Sequence, residues 1–148
     1  MRLVIQRVSS ASVRVEGKVV GEIGKGYLVF FGAEAGDTAG LAEEAARKVA
    51  GLRVFEDADA KMNLALADVG GAVLAVSQFT LGADLSRGRR PGFERALRGA
   101  EAEPLYESFV AARRREGLRV ETGIFGAMMS VSLVNEGPAT FLLELPRA

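Results

Sequence analysis

The sequence of 148 residues contains no histidine, no cysteine and no tryptophan. Without histidine, the chain lacks the side chain that most often acts as a general base near neutral pH. Without cysteine, it has no thiolate nucleophile and no disulfide, and without both residues it cannot form the usual Cys/His zinc sites. Any chemistry performed by this chain must therefore use other groups.

An excess of one charge and long apolar runs are also absent. Nineteen Lys and Arg residues balance nineteen Asp and Glu residues, so no global positive charge indicates non-specific binding to nucleic acids or membranes. No stretch approaches the roughly eighteen apolar residues of a membrane helix, and polar residues interrupt the N-terminal segment 1–7 too early for a signal peptide. We therefore expect a soluble, cytoplasmic protein without a membrane partner.

The composition and the hydrophobic pattern predict one α+β domain over residues 1–148. Hydrophobic residues make up 49% of the chain, and no linker or repeat divides it. Helical spacing predicts helices over residues 39–50, capped by Asp37 or Thr38, and from Pro104 to near Gly117. Strands are predicted at residues 13–15, 19–23, 27–32, 52–55, 72–81, 120–122, 128–134 and 140–145. We expect a mainly antiparallel, barrel-like sheet that carries two long helices.

Positive charge is concentrated in one part of the sequence. Residues 87–119 contain nine Arg and five Glu. Such a segment is most typical of ordinary solvated helix faces, and a stripe that contacts phosphates is the alternative. The composition leaves both interpretations open.

The first candidate segment is Ser77-Gln78-Phe79-Thr80, at the end of a predicted buried strand. One interpretation is structural, with hydroxyls that satisfy local backbone groups and Phe79 in the core. In the functional interpretation, no histidine is available to activate a hydroxyl nucleophile. Backbone N–H groups that polarise an acyl carbonyl are then the simpler catalytic device.

The second candidate segment is Asn135-Glu136-Gly137-Pro138, followed by Ala139 and Thr140. Glycine adopts backbone conformations that other residues avoid, and proline fixes its own φ. Taken alone, the segment predicts only a turn between the last two strands.

Together, the two segments resemble the signature motifs of the D-aminoacyl-tRNA deacylases, Ser-Gln-Phe-Thr at residues 77–80 and Asn-Glu-Gly-Pro-Ala-Thr at residues 135–140. Glu136 stands where the family commonly has Asp, at a variable position. The resemblance covers essentially the whole chain, because further similar segments lie at residues 5–8, 11–13, 61–64, 87–91 and 131–134.

The resemblance implies a cytoplasmic homodimer that hydrolyses the ester of D-aminoacyl-tRNA, and also of glycyl-tRNA, without a metal or cofactor. Ser77, Gln78, Phe79 and Thr80 would form the catalytic pocket, where main-chain amides and the terminal ribose 2′-OH act. Thr80 could position the substrate or attack it covalently. Gly137 and Pro138, joined by a cis peptide bond, would enter the partner subunit's pocket and exclude L-amino acids.

Two further groups receive roles from the resemblance. Arg7 would support the carbonyls of Gly137 and Pro138, although a surface ion pair is an equal interpretation. The segment 87–98, with Arg87 and Arg98 at its ends, would contact the tRNA backbone. Two alternatives to this enzyme remain, a non-catalytic RNA-binding homodimer and a small-molecule esterase.

Overall fold

The computed structural model describes residues 1–146, which begin with three strands, the first of which pairs antiparallel with the other two. Strand β1 (Arg2–Val15) turns at Glu16 and Gly17, both with positive φ, into β2 (Lys18–Ile23), and a second turn leads into β3 (Gly26–Gly32). Strand β3 pairs with residues 2–8 of β1, and β2 pairs with residues 11–15. The strands predicted at residues 19–23 and 27–32 are confirmed, whereas the first strand begins at Arg2, well before the predicted residues 13–15.

Two helices follow these three strands at the predicted places. Helix α1 (Ala39–Gly51) begins after Thr38, whose hydroxyl accepts a hydrogen bond from the Leu41 amide at 3.2 Å. Helix α2 (Glu103–Arg115) has Pro104 in its first turn, where a missing N–H costs no helical hydrogen bond. No helix among residues 1–146 is long and apolar enough to span a membrane.

The remaining strands complete a sheet of mixed direction. They are β4 (Phe55–Glu56), β5 (Met62–Leu64), β6 (Ala72–Ser77), β7 (Val120–Thr122) and β8 (Ser130–Glu144). Strand β6 runs parallel to β3, β7 runs parallel to β6, and β8 runs antiparallel along β1. Strands β4 and β5 form a separate small ribbon. The sheet is nearly closed, because a Cβ atom on Gly21 of β2 would contact the carbonyl oxygen of Thr122 in β7.

The prediction of a mainly antiparallel sheet is therefore only partly right. The α+β class, the barrel-like sheet and the two helices are confirmed, but two of the strand pairs are parallel. The connection from β3 to β6 contains α1, and a crossover of that length permits parallel pairing. The uninterrupted apolar sequence of β6 is typical of such strands.

Strand β6 is apolar because both of its faces are buried. Val73 and Ala75 lie in a cluster with the two helices, whereas Leu74 and Val76 lie in a second cluster with residues of β1 and β3. The strand ends at Ser77 and not at residue 81 as predicted, because Phe79–Gly82 form a 3₁₀ turn. The predicted strand at residues 52–55 is likewise shorter, since only Phe55 of that range lies in a strand.

Candidate active site

A cavity of about 620 Å³ lies beside the carboxyl end of β6. All four residues of the first motif, Ser77 to Thr80, line it. The rest of the lining is mainly apolar and includes Phe31, Ala33, Val76, Leu97, Ala102, Phe125, Met128, Met129 and Val131. The structure thus brings the four predicted catalytic residues to one cavity, at the end of a buried strand.

The backbone of the first motif leaves two hydrogen-bond donors free. The amide of Gln78 donates to the Phe31 carbonyl at 2.7 Å, which fixes the end of β6 against β3. The chain then enters the 3₁₀ turn, and the first amides of a helical turn have no partner within it. The amides of Phe79 and Thr80 accordingly donate to no acceptor within residues 1–146. Both belong to residues that line the cavity.

The side chains of the first motif do not include a base. The Gln78 amide group donates to the Thr80 hydroxyl. Among the described residues, those that line the cavity include no carboxylate, and the chain has no histidine. A hydroxyl without a neighbouring base is a weak nucleophile. The cavity is therefore better suited to orienting and polarising an ester than to covalent attack by Thr80.

A tyrosine from α2 supports the strand that carries the first motif. The hydroxyl of Tyr106 donates to the Ala75 carbonyl at 2.6 Å, two residues before Ser77. Burial raises the pKa of Tyr106 well above its ordinary value, so the hydroxyl stays protonated and remains a donor. The ring of Tyr106 also lies 5.8 Å from that of Phe125, which lines the cavity. Helix α2 thereby contacts both the strand that carries the first motif and one residue of the cavity lining.

Two residues of the cavity lining, Phe79 and Arg98, belong to an aromatic and cationic group that the sequence analysis did not single out. The rings of Phe79 and Phe93 lie 5.4 Å apart, and the Arg98 guanidinium lies 5.0 Å and 5.6 Å from their respective centres. Sequence reasoning noted the surplus of Arg in this segment but had no signal that would place one of them on Phe79. The loop at residues 125–129 was missed for the same reason.

The second motif lies inside β8 and does not reverse the chain. Asn135 faces Val8 of β1, whereas Thr140 faces Gln6, and both halves of β8 run antiparallel to β1. Residues 136–139 therefore bulge outward opposite Arg7. The predicted turn between two strands is wrong in this respect, because a bulge absorbs the extra residues without ending the strand. The Gly137–Pro138 peptide bond is cis.

Two side chains hold this bulge in place. Arg7 is 6% exposed and donates to the carbonyl oxygens of Glu136, at 2.8 Å, and Val54, at 2.6 Å. The side-chain amide of Asn135 donates to the carbonyl oxygens of Arg7 and Ala139, both at 3.1 Å. Arg7 thus supports the residue before Gly137, not the carbonyls of Gly137 and Pro138 themselves. It forms no ion pair within the described chain, so its interpretation as a surface ion pair is wrong.

Gly137 and Pro138 lie on the surface and away from the lining of the cavity. A Cβ atom on Gly137 would collide with the side-chain oxygen of Asn135 and lie 2.8 Å from the amide nitrogen of Ala139. Only glycine therefore fits this bulge as it stands. Within one chain, the structure does not bring the two motifs together.

The acidic residues of the described chain offer no metal site. Residues 1–146 contain no group of three or more Asp or Glu side chains that could hold a metal ion. Asp57 instead organises the turn between β4 and β5, where its carboxylate accepts from the Asp59 and Lys61 amides at 2.9 Å and 3.1 Å. Backbone hydrogen bonds, led by that of Lys61, lower the pKa of Asp57 below its ordinary value.

Comparison with known proteins gives a consistent result. A family model described as D-Tyr-tRNA(Tyr) deacylase matches residues 4–144. Relatives named D-aminoacyl-tRNA deacylase come from Koribacter versatilis, with 58% identity over 97% of both chains, and Symbiobacterium thermophilum, with 57% identity over 97% of this chain and 95% of its own. A third, from Thermus aquaticus, is 56% identical, with coverage of 97% and 95%.

Two solved structures share the architecture over nearly the whole chain. One is described as the c-Myc DNA Unwinding Element Binding Protein, with a TM-score of 0.92, 39% identity and 99% coverage of both chains. The other, a probable eukaryotic D-amino acid tRNA deacylase, has a TM-score of 0.83 at 20% identity, with coverage of 97% and 98%, and shows the shared fold. The resemblance noted in the two motifs is confirmed, and the chain belongs to the D-aminoacyl-tRNA deacylase family, whose members are hydrolases.

Proposed function

We propose that this chain hydrolyses the ester of D-aminoacyl-tRNA, and of mischarged glycyl-tRNA, to release the amino acid and free tRNA in the cytoplasm. The observation that carries this proposal is the cavity at residues 77–80, which combines two free backbone amides with the absence of a side-chain base. An ester is already an activated acyl group, so orientation and polarisation can suffice for its hydrolysis.

In the proposed reaction, the ester carbonyl oxygen binds the amides of Phe79 and Thr80. Water adds to the carbonyl carbon, helped by the ribose 2′-OH of the terminal nucleotide, and the amides stabilise the negative charge on the oxygen. The bond between the carbonyl carbon and the ribose oxygen then breaks, and that oxygen takes the proton from the water. Ser77, Gln78 and Thr80 position the acyl group, with the Thr80 hydroxyl held by the Gln78 amide.

Selection against L-amino acids is assigned to Gly137 and Pro138 of a second copy in a homodimer. These residues are exposed and do not line the cavity of their own chain, which leaves them free to enter another. Rigid backbone at the α-carbon would meet the side chain of an L-amino acid but only a hydrogen of a D-amino acid. Glycine has no side chain to reject, so glycyl-tRNA is expected to pass the same filter.

Contact with the tRNA backbone is assigned to the basic segment at residues 87–98. Arg87, Arg89 and Arg90 are exposed there and form no ion pair within the described part of the chain. Phosphate contacts of this kind position an RNA without reading its sequence.

A non-catalytic nucleic-acid-binding homodimer is the second candidate. It is favoured by the 39% identity to a protein whose description names DNA binding. A small-molecule esterase is less well supported, because the cavity has no side-chain base to replace an RNA hydroxyl.

Purified protein should hydrolyse D-Tyr-tRNA and glycyl-tRNA well above the buffer rate and leave L-Tyr-tRNA intact. Loss of activity on D-Tyr-tRNA with a 2′-deoxy terminal ribose is expected, and activity on simple D-amino-acid esters is not. Binding of tRNA without any excess loss of the D-ester would support the non-catalytic candidate. Rapid turnover of simple D-amino-acid esters would support the small-molecule esterase.

A further inference from the structure

Arg98 is the one charged side chain among the described residues that line the cavity. Its guanidinium rests against the rings of Phe79 and Phe93, at 5.0 Å and 5.6 Å from their centres. It forms no hydrogen bond and no ion pair within residues 1–146. Neighbouring Arg95 differs, because its guanidinium lies 3.4 Å from the Glu34 carboxylate. The charge of Arg98 is thus held at the cavity without a partner.

The chemistry of this arrangement selects an anionic ligand. A guanidinium that packs on aromatic rings still has N–H donors at its edge, and these match the oxygens of phosphate or carboxylate in pairs. Arg98 is exposed at the cavity, so salt screens such a contact in part. The lining contains no carboxylate that would neutralise the charge. An anion on the substrate is therefore the natural partner.

We propose that Arg98 binds the phosphodiester of the terminal nucleotide of aminoacyl-tRNA and so positions the ester at the amides of Phe79 and Thr80. This inference rests on the proposed function. In a terminal nucleotide that carries a neutral D-amino acid, the base and ribose are uncharged and the amino group is cationic. The phosphate is then the anion nearest to the ester. Because Arg98 packs on Phe79, the phosphate contact is built directly onto the first motif.

The test compares Arg98→Gln and Arg98→Lys with wild type on three substrates. These are D-Tyr-tRNA, the D-Tyr ester of adenosine 5′-monophosphate, and the D-Tyr ester of adenosine, which lacks the phosphate. Arg115→Gln is the control, since Arg115 lies on α2, outside the lining of the cavity, and pairs with Glu43 at 3.8 Å. It removes the same charge from an exposed position.

Arg98→Gln is expected to raise KM about fivefold for the two phosphate-bearing substrates, with kcat unchanged, because one charge-assisted contact is lost. KM for the adenosine ester should not change. The slope of log KM for tRNA against log salt should fall by about 0.7. Arg98→Lys should retain part of the effect as a point charge, and Arg115→Gln should match wild type.

Three results would overturn the assignment. An equal loss on all three substrates would mean that Arg98 acts only by packing on Phe79. If the D-Asp ester of adenosine is assayed beside them, an effect confined to that substrate would identify a side-chain carboxylate as the anion. No change in any KM would leave Arg98 without this role.

Failure of the proposed function is distinguishable from these results, because wild type would then hydrolyse none of the substrates. In that case Arg98 is still tested by calorimetric binding of two analogues in which an amide replaces the ester at the ribose 3′ position. One analogue is built on adenosine 5′-monophosphate and the other on adenosine, which lacks the phosphate. Weaker binding of the phosphate-bearing analogue alone in Arg98→Gln supports the phosphate contact, and equal binding by variant and wild type contradicts it.

Discussion

The two family motifs lie in opposite environments of the same chain. Residues 77–80 lie at the end of a strand buried on both faces and line a cavity, whereas residues 136–139 form a bulge in β8, which pairs only with β1 among the described strands. Gly137 and Pro138 are exposed there. This difference is what the proposal of a site shared between two copies explains, since the pocket and the projecting loop of one chain do not meet.

The two motifs are also held by different means. Backbone pairing with Phe31 and the Tyr106 hydroxyl fix the end of β6. The bulge is instead held by the side chains of Arg7 and Asn135, which bind backbone carbonyls around it. Single substitutions should therefore alter the bulge easily, while the pocket should tolerate changes in its side chains.

Gly137→Ala should give the largest effect, a loss of D-Tyr-tRNA hydrolysis of about 100-fold, because the added Cβ collides with Asn135 and displaces the loop. Discrimination against L-Tyr-tRNA should weaken at the same time. The control is Gly51→Ala at the end of α1, where a Cβ meets nothing within 4 Å. Kinetics on both mirror forms check this, and unchanged discrimination would contradict the assignment of the bulge.

Arg7→Ala should reduce activity by about tenfold and lower the free energy of unfolding by about 1–3 kcal/mol. The substitution leaves the carbonyls of Glu136 and Val54 without their donor. Arg7→Lys should be more stable than Arg7→Ala, because a lysine ammonium can donate to one of the two carbonyl oxygens. It cannot donate to both as the planar guanidinium does. Urea unfolding and kinetics measure both quantities. A wild-type rate in Arg7→Ala would show that the bulge needs no such support.

Thr80→Ala should retain activity to within about tenfold, since the amides rather than the hydroxyl are assigned to the reacting carbonyl. Single-turnover hydrolysis of D-Tyr-tRNA measures the effect. A loss on the order of 10⁴-fold would instead identify Thr80 as a nucleophile.

Tyr106→Phe should have the smallest effect, a loss of about 1 kcal/mol in the free energy of unfolding, because it removes one buried hydrogen bond to Ala75. Discrimination between D-Tyr-tRNA and L-Tyr-tRNA should not change. Tyr27→Phe is the matched control, since the Tyr27 hydroxyl lies 3.4 Å from the Leu52 carbonyl oxygen, near the limit of a hydrogen bond. Equal losses in the two variants would remove the special role of Tyr106 in supporting β6.

Local signals in the sequence predicted the elements better than their arrangement. Thr38 and Pro104 placed the helix starts, because capping and proline geometry are local. The direction of β6 depends on a crossover through α1, and alternation along a single strand does not report it. Gly137 and Pro138 have turn chemistry, but only pairing of both flanks with β1 shows a bulge instead of a reversal.

For the site, the sequence likewise predicted the motif residues but not the contacts that distant segments make with them. The motif resemblance identified Ser77 to Thr80, and the structure places them at one cavity. Phe93 and Arg98 reach Phe79 from a distant segment, and no sequence pattern encodes that contact. The free amides of Phe79 and Thr80 likewise follow from the 3₁₀ turn. The hydrophobic pattern predicted a continued strand at these residues instead.

The most direct test of a site assembled from two copies uses mixed dimers of two defective variants. In Thr80→Trp, a large side chain replaces an exposed one and fills the pocket. In Gly137→Ala, the added Cβ distorts the loop. The two chains are co-expressed with different C-terminal tags, because the α-ammonium of Met1 is buried and lies 3.0 Å from Asp37. Mixed dimers are then isolated through both tags.

Each mixed dimer contains one site with both parts intact, so we expect about half of the wild-type D-Tyr-tRNA hydrolysis per dimer, although each parent is nearly inactive. Mixed dimers no more active than the parents would contradict the account, as would a fully active monomer.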